Sequence, residues 1–125
     1  MKVLLDSNAL LLFIAEPTRM LRKTRDLVAS ADTEAFTSIA SLWELSIKAG
    51  LGKLTLPADM LDLVSASGIT LLSIEPQHTL HVARLPLHHR DPFDRLIVAQ
   101  AIIEQMALVT RDQLLARYGV AIIAV

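Results

Sequence analysis

Short apolar runs that alternate with helical segments constrain the fold of this chain more than any other feature. Lys2–Leu5, Ala107–Thr110 and Val120–Val125 are such runs, and Ala35–Thr37 and Ile69–Ile74 complete the set. They show no alternation of polar and apolar residues, which is typical of strands buried on both faces of a parallel sheet. The sequence therefore predicts an α/β fold in three layers, with a central parallel sheet of four to five strands covered by helices on both sides.

Helices are predicted between these strands from cap residues and apolar spacing. Asp91 is a predicted N-cap, and Pro92 stands at the first helical position, where its missing N–H costs nothing. A second helix is expected to bury the stripe formed by Ile39, Leu42, Trp43 and Ile47, which makes the tryptophan a core residue. The predicted helices are Ala9–Ala15, Thr18–Ala31, Ser38–Gly50, Pro57–Val64 and Pro76–Leu85, with two more beginning at Pro92 and Asp112.

Length and composition narrow the class of protein. With 125 residues, 53% of them hydrophobic, the chain is expected to form a single domain over residues 1–125. It contains no cysteine, which excludes disulfides and thiolate metal sites. Asp6 interrupts the N-terminal apolar run too early for a signal peptide, and no run is long enough to span a bilayer. We expect a soluble, cytoplasmic protein.

Four acidic residues occupy positions that could converge. Asp6 and Asp112 come directly after predicted strands, Asp94 lies in the first turn of a helix, and Glu44 lies one turn into another. Ligands collect beyond the carboxyl ends of parallel strands, so these acids could meet there. Carboxylates gathered against apolar segments repel one another, and a divalent cation removes that repulsion. An oxygen-only cluster selects Mg²⁺ or Mn²⁺, which can activate water and neutralise charge on a phosphodiester.

Each acid also has a purely structural explanation. Asp6, Asp91 and Asp112 could simply cap helices. Glu44 could pair with Lys48 one turn later, or close a capping box with Ser41. These explanations account for the acids one at a time but not for their joint placement.

Basic and histidine residues near the acids are weaker indicators. Taken singly, each basic residue is a solvated charge; taken with the acids, each could contact a phosphate backbone. His88 and His89 could bind a metal, but no third histidine or cysteine lies at a useful spacing, so a solvent-facing loop is the prediction. The basic residues in question are Arg90, Arg95, Lys48, Lys53 and Arg111.

Four stretches together resemble the PIN-domain family, in particular its VapC-like branch, the toxins of type II toxin–antitoxin modules. The resemblance runs in order from Lys2 to Val125 with matching spacing. The stretches are Val3–Leu11, Ser41–Lys48 followed by Leu51–Leu54, Leu85–Arg95, and Val109–Asp112.

The resemblance implies a PIN-like α/β/α sandwich and an acidic site that holds Mg²⁺ or Mn²⁺ and cleaves RNA. By motif, the metal ligands and catalytic residues are Asp6, Glu44, Asp94 and Asp112. Ser7 corresponds to the small hydroxyl residue that follows the first acid, where an ion-bound water or phosphate could be held. Asp91 and Arg95 are further accessory candidates. Asn8 departs from the pattern, because this branch usually has histidine there.

The resemblance also implies partners. VapC-like proteins are typically homodimers that a small antitoxin neutralises by packing against the toxin and filling the acidic pocket. Leu10–Ile14 and the helix from Thr18 are the expected docking surfaces, because so short a helix has more apolar side chains than it needs inward.

The function predicted from these observations is that of a metal-dependent endoribonuclease toxin. One alternative is a PIN-like module that binds RNA or protein without cutting, although such a module would not need all four acids. A receiver domain of a response regulator also binds Mg²⁺ through acids at strand ends. It requires a phosphorylatable aspartate after a middle strand, and here that strand ends in Glu75.

Overall fold

The sheet has five strands, and every neighbouring pair is parallel. The computed structural model describes all 125 residues. The spatial order is β3-β2-β1-β4-β5, so the first strand of the chain lies at the centre. The strands are β1 (Lys2–Leu5), β2 (Glu34–Ser38), β3 (Thr70–Leu72), β4 (Ala107–Thr110) and β5 (Ile122–Ala124).

Six α-helices connect the strands, and three short 3₁₀ turns accompany them. The α-helices are α1 (Ser7–Ala15), α2 (Arg22–Ala29), α3 (Ile39–Gly50), α4 (Met60–Ala66), α5 (Pro76–His81) and α6 (Pro92–Glu104). The 3₁₀ turns are Pro17–Arg19, Val82–Arg84 and Gln113–Tyr118. No helix combines the length and the apolar character that crossing a membrane requires.

Two hydrophobic cores lie on opposite faces of the sheet. Successive side chains of a strand point to opposite faces, so Val3 and Leu5 enter one core while Leu4 enters the other. Leu10 and Leu45 pack in the first core, from α1 and α3. The second core receives the buried face of α6. This arrangement confirms the predicted α/β/α sandwich and explains why the strands carry no polar face.

Several predicted element boundaries are wrong. The helix expected from Thr18 begins at Arg22, because Pro17–Arg19 forms a 3₁₀ turn and Met20 is extended. Leu21 would lie inside a helix that began at Thr18, but it stands at the N-cap of α2 and is exposed. The helix expected from Pro57 begins at Met60.

Three further elements are shorter than expected. The last strand, expected over Val120–Val125, covers only Ile122–Ala124. The strand expected over Ile69–Ile74 is limited to Thr70–Leu72, because it lies at the edge of the sheet and pairs only with β2. The helix expected over Pro76–Leu85 ends at His81 and gives way to the Val82–Arg84 turn.

The prediction for the buried face of α3 is also wrong. Ile39, Trp43 and Ile47 are exposed, and Trp43 keeps 60% of its surface open to solvent. The buried face instead carries the small residues Ala40 and Ser41 with Glu44 and Leu45. Helix α3 packs against α1 and α6. The acid is therefore turned inward, and the tryptophan is turned outward.

The chain order places a topological switch beside Asp6. From β1 the chain runs to β2 on one side, whereas β4 lies on the other side. The Asp6 backbone N–H donates to the Val109 carbonyl at 3.1 Å, which ties the end of β1 to β4. In open α/β sheets, ligands bind in the crevice at such a switch.

Candidate metal centre

Asp6 lies at the carboxyl end of β1 and is the N-cap of α1. Its Oδ1 accepts a hydrogen bond from the Ala9 backbone N–H at 2.8 Å, and only 7% of the residue is exposed. Burial raises the pKa of Asp6 above its ordinary value, and the nearby Glu44 carboxylate raises it further. The Thr110 hydroxyl, the Ala9 N–H and the Arg111 guanidinium act in the opposite direction. The predicted capping role is confirmed, and the cap is buried beside a second acid.

Glu44 lies on α3, which packs on the same face of the sheet as α1. Ser7 Oγ donates to Glu44 Oε1 at 2.5 Å, and Lys48 Nζ lies 3.5 Å from Glu44 Oε2. The predicted pairing with Lys48 is thus confirmed. The capping box with Ser41 is wrong, because the N-cap of α3 is Ser38 and the buried Ser41 Oγ has no hydrogen-bond partner.

Asp91 and Asp94 enter from the first turn of α6. Asp91 Oδ1 accepts from the backbone N–H groups of Phe93 at 2.8 Å and Asp94 at 3.3 Å, which confirms the predicted N-cap. The pKa of Asp94 is raised from 3.8 to about 7, and burial is the largest cause. The carboxylates of Asp91, Asp6 and Glu44 contribute to this rise, and His89 opposes it. Three acids therefore act electrostatically on Asp94. Asp94 thus belongs with Asp6 and Glu44 to one acidic cluster.

Asp112 follows β4 and caps the last 3₁₀ turn. Its Oδ1 accepts from the Leu114 backbone N–H at 3.0 Å, and its own N–H donates to Thr110 Oγ1 at 3.1 Å. Oδ2 remains directed at His89, whose Nε2 lies 2.9 Å away. The expected cap is confirmed, and one carboxylate oxygen still faces the cluster.

His89 contradicts the prediction of a solvent-facing loop. Its Nε2 lies between Asp112 Oδ2, at 2.9 Å, and Asp94 Oδ2, at 3.5 Å, and only 20% of its side chain is exposed. A ligand atom from each of these three residues lies within 4.8 Å of the others. The groups that meet His89 are carboxylates, not a third histidine or cysteine. The signal present in the sequence is that His89 stands two residues before the N-cap of the helix that carries Asp94.

The basic residues divide into those near the cluster and those bound elsewhere. Arg111 Nε donates to Asn8 Oδ1 at 3.0 Å, so Asn8 holds the positively charged Arg111 guanidinium near Asp6. Arg95 instead donates to the backbone carbonyls of Val82 and Pro86, each at 3.0 Å. Its guanidinium organises the loop before α6. Arg90 and Lys53 are exposed.

The donor chemistry of the cluster fits a hard divalent cation. Asp6, Glu44, Asp94 and Asp112 supply only carboxylate oxygens, the ligand type that Mg²⁺ and Mn²⁺ prefer. Burial raises the pKa of both Asp6 and Asp94, because a charged carboxylate is poorly solvated there. A bound dication would reverse this penalty. Of the four predicted site residues, Asp6 and Asp112 follow the carboxyl ends of β1 and β4, while Glu44 lies on α3 and Asp94 on α6.

The fold and the cluster together define a class: an open α/β protein with carboxylates gathered at the carboxyl edge of a parallel sheet. The sequence model of the PIN domain matches residues 3–121. The chain therefore belongs to the PIN domain family, as the four sequence stretches predicted.

Solved structures with the same fold include toxin–antitoxin complexes. VapBC2 from Rickettsia felis, bound to a DNA fragment from its promoter, is similar with a TM-score of 0.75 and 19% identity over 99% of this chain and 98% of that one. DNA-bound VapBC from Salmonella typhimurium has a TM-score of 0.71 and 22% identity over the same shares of the two chains. VapBC-5 from Mycobacterium tuberculosis has a TM-score of 0.59 and 22% identity, again over 99% and 98%. No curated protein matches in sequence.

Proposed function

We propose that this chain is a metal-dependent endoribonuclease, the toxin of a type II toxin–antitoxin module. The observation that carries the proposal is how close the four carboxylates lie: Asp6 and Glu44 both act electrostatically on Asp94, and an oxygen of Asp112 lies within 4.8 Å of an oxygen of Asp94. Helix caps and ion pairs account for each acid alone, but they give no reason to bury repelling carboxylates together. A cation site gives that reason, and membership in the PIN domain family agrees with it.

In this proposal the four acids hold Mg²⁺ or Mn²⁺. The bound ion would lower the pKa of a water molecule and neutralise charge on the scissile phosphate. The side chains around the acids orient them. Ser7 holds one oxygen of Glu44, and the Ala9 N–H holds one oxygen of Asp6. Lys48 and Arg111 place positive charge at the rim, where a phosphate backbone would pass.

The proposal also includes RNA as the substrate, a small antitoxin as a partner, and a homodimer as the oligomeric state. The resemblance to VapC-like sequences supports RNA, and the likeness to chains solved as VapBC complexes supports an antitoxin. Exposed apolar side chains on the outer face of α3 offer a surface for a protein partner. These side chains are Ile39, Trp43, Ile47 and, just beyond the helix, Leu51.

The docking surface expected on α1 is smaller than its sequence indicated. Leu12 is buried in the protein itself, so it cannot contact an antitoxin. Leu11, Phe13 and Ile14 are half-buried and pack against the first core. A polar substitution of Phe13 therefore tests antitoxin binding on this helix, whereas a substitution of Leu12 would test stability.

The decisive experiment is cleavage of a mixed cellular RNA pool by the purified, antitoxin-free protein. We expect cleavage with Mg²⁺ or Mn²⁺, none with EDTA, and none by Asp6→Asn. Asp62→Asn is the matched control, because Asp62 is an exposed acid on α4. Equal cleavage by Asp6→Asn and wild type would contradict the proposed site. No cleavage by the folded wild-type protein under any of these conditions would favour the non-cutting, RNA- or protein-binding module.

A further inference from the structure

Resting on the proposed cation site, we infer that His89 is a positioning residue for that site and not one of its ligands. It is held as the Nε2–H tautomer and uses that N–H to orient Asp112, with Asp94 lying beside the same nitrogen. The proximity of His89, Asp94 and Asp112 would by itself suggest a metal site with a histidine ligand. The hydrogen bonds of the imidazole favour the other role.

The backbone determines which ring nitrogen carries the proton. The Asp91 N–H donates to His89 Nδ1 at 3.1 Å, so Nδ1 acts as an acceptor and has no proton. A neutral imidazole then carries its proton on Nε2, which faces Asp112 Oδ2 at 2.9 Å and Asp94 Oδ2 at 3.5 Å. A protonated ring nitrogen has no free lone pair for a cation. Ligation through Nε2 would move the proton to Nδ1, where it would meet the Asp91 N–H donor.

The loop that carries His89 is held by hydrogen bonds to Tyr118 and Arg95. The His89 backbone N–H donates to the Tyr118 hydroxyl at 2.9 Å, and Arg95 Nη1 donates to the same hydroxyl at 3.2 Å. Arg95 Nη2 also bonds the carbonyls of Val82 at 3.0 Å and Leu85 at 3.3 Å. A planar guanidinium with several donors is suited to hold several loop carbonyls at once. The backbone on which the imidazole stands is therefore held in place.

Asp112 is the acid whose orientation His89 fixes. One of its oxygens accepts from the Leu114 N–H and the other from His89, so its carboxylate is fixed in orientation. Each oxygen keeps a second lone pair that can serve a cation. Donors that orient metal-binding carboxylates usually change metal affinity about tenfold to hundredfold when removed.

Two variants separate the two ring nitrogens. His89→Asn keeps an acceptor near the Nδ1 position but places nothing at the Nε2 position. His89→Gln places an amide N–H donor near the Nε2 position. His81→Asn is the matched control, because His81 lies on α5 and has no hydrogen bond to the cluster. Mn²⁺ affinity is measured by electron paramagnetic resonance of the free ion, and the tautomer of His89 by ¹H–¹⁵N NMR with and without Mg²⁺.

We expect a proton on Nε2 in both NMR samples. We also expect about a tenfold or greater loss of Mn²⁺ affinity in His89→Asn, with most of it kept in His89→Gln and all of it in His81→Asn. A proton that moves to Nδ1 when Mg²⁺ is added, or wild-type affinity in His89→Asn, would overturn the inference. These measurements need no RNA. If they succeed while the protein cuts no RNA, the nuclease proposal fails and the role of His89 stands.

Discussion

Ser7 Oγ donates a 2.5 Å hydrogen bond to Glu44 Oε1 and so joins the start of α1 to the middle of α3 inside the acidic cluster. Both residues are buried, so each side chain has little access to water and forms its hydrogen bond with the other. Hydrogen bonds to charged groups contribute more to the free energy of unfolding than neutral ones do, and a buried carboxylate that loses its donor lowers it. The contact therefore both stabilises the fold and holds Glu44 in its position in the site.

Ser7→Ala should therefore destabilise the protein by about 1.5–3 kcal/mol, because Glu44 Oε1 loses its donor. Denaturant unfolding at neutral pH measures the change. Ser46→Ala is the control, since Ser46 lies on the exposed side of α3. Equal midpoints for the two variants would show that the buried contact contributes nothing.

Asp94→Asn should reduce RNA cleavage by at least about a hundredfold while the fold persists, because it removes a charge that holds the ion but keeps the side-chain shape. Initial rates at saturating Mg²⁺ and circular dichroism test both halves of this statement. Asp26→Asn serves as the comparison, because Asp26 is exposed on α2. Cleavage at the wild-type rate by Asp94→Asn would remove Asp94 from the site.

The stability of the metal-free protein should fall as pH rises from about 4 to 7 through the titration of Asp94. The pKa of Asp94 is raised from 3.8 to about 7, with burial as the largest cause, so the folded state binds a proton that the unfolded state has released. The contribution of protonated Asp94 to the free energy of unfolding is fully present below the pKa that Asp94 has in the unfolded chain. It is lost as pH rises through the pKa that Asp94 has in the folded protein. Unfolding midpoints in EDTA across this range give the slope. Asp94→Asn should have a flatter profile, and an identical profile would contradict the assignment.

Trp43→Ala should cost less stability than Leu45→Ala, although the residues are neighbours on α3. Trp43 is mostly exposed and makes an edge contact with Phe93, with ring centroids 5.1 Å apart, which is worth about 0.5–1.5 kcal/mol. Leu45 is 2% exposed in the first core, so its truncation should cost about 2–5 kcal/mol. Unfolding followed by circular dichroism compares them. The reverse order would restore the buried stripe that the sequence predicted.

Arg95→Lys should destabilise the loop before α6 by about 1–3 kcal/mol, because one ammonium cannot replace a guanidinium that bonds several carbonyls. Hydrogen exchange of residues 82–90 should increase in this variant. Arg22→Lys is the counterpart on the exposed surface of α2 and should behave as wild type. Unchanged exchange in Arg95→Lys would show that the clamp is not needed.

Local signals account for the parts of the fold that were predicted correctly. Asp91 followed by Pro92 predicted the start of α6, and Asp112 predicted the start of the last turn, because a cap and its N–H partners lie within a few residues. The strands were recognised because burial on both faces leaves an unbroken apolar run. In contrast, α3 has apolar residues on more than one side, and spacing along one helix does not show which side meets its neighbours.

The layers of this protein, its predicted helix caps and the positions of its four candidate acids follow from residue type and short-range spacing, which can be read along the chain. The inward direction of Glu44 and the outward direction of Trp43 follow instead from the packing of α3 against α1 and α6, which sets the rotation of the helix. The tertiary structure also brought His89 to Asp112, 23 positions away, through a loop held by Arg95 and Tyr118. Contacts of this kind depend on how separate elements meet, which no single stretch of sequence encodes.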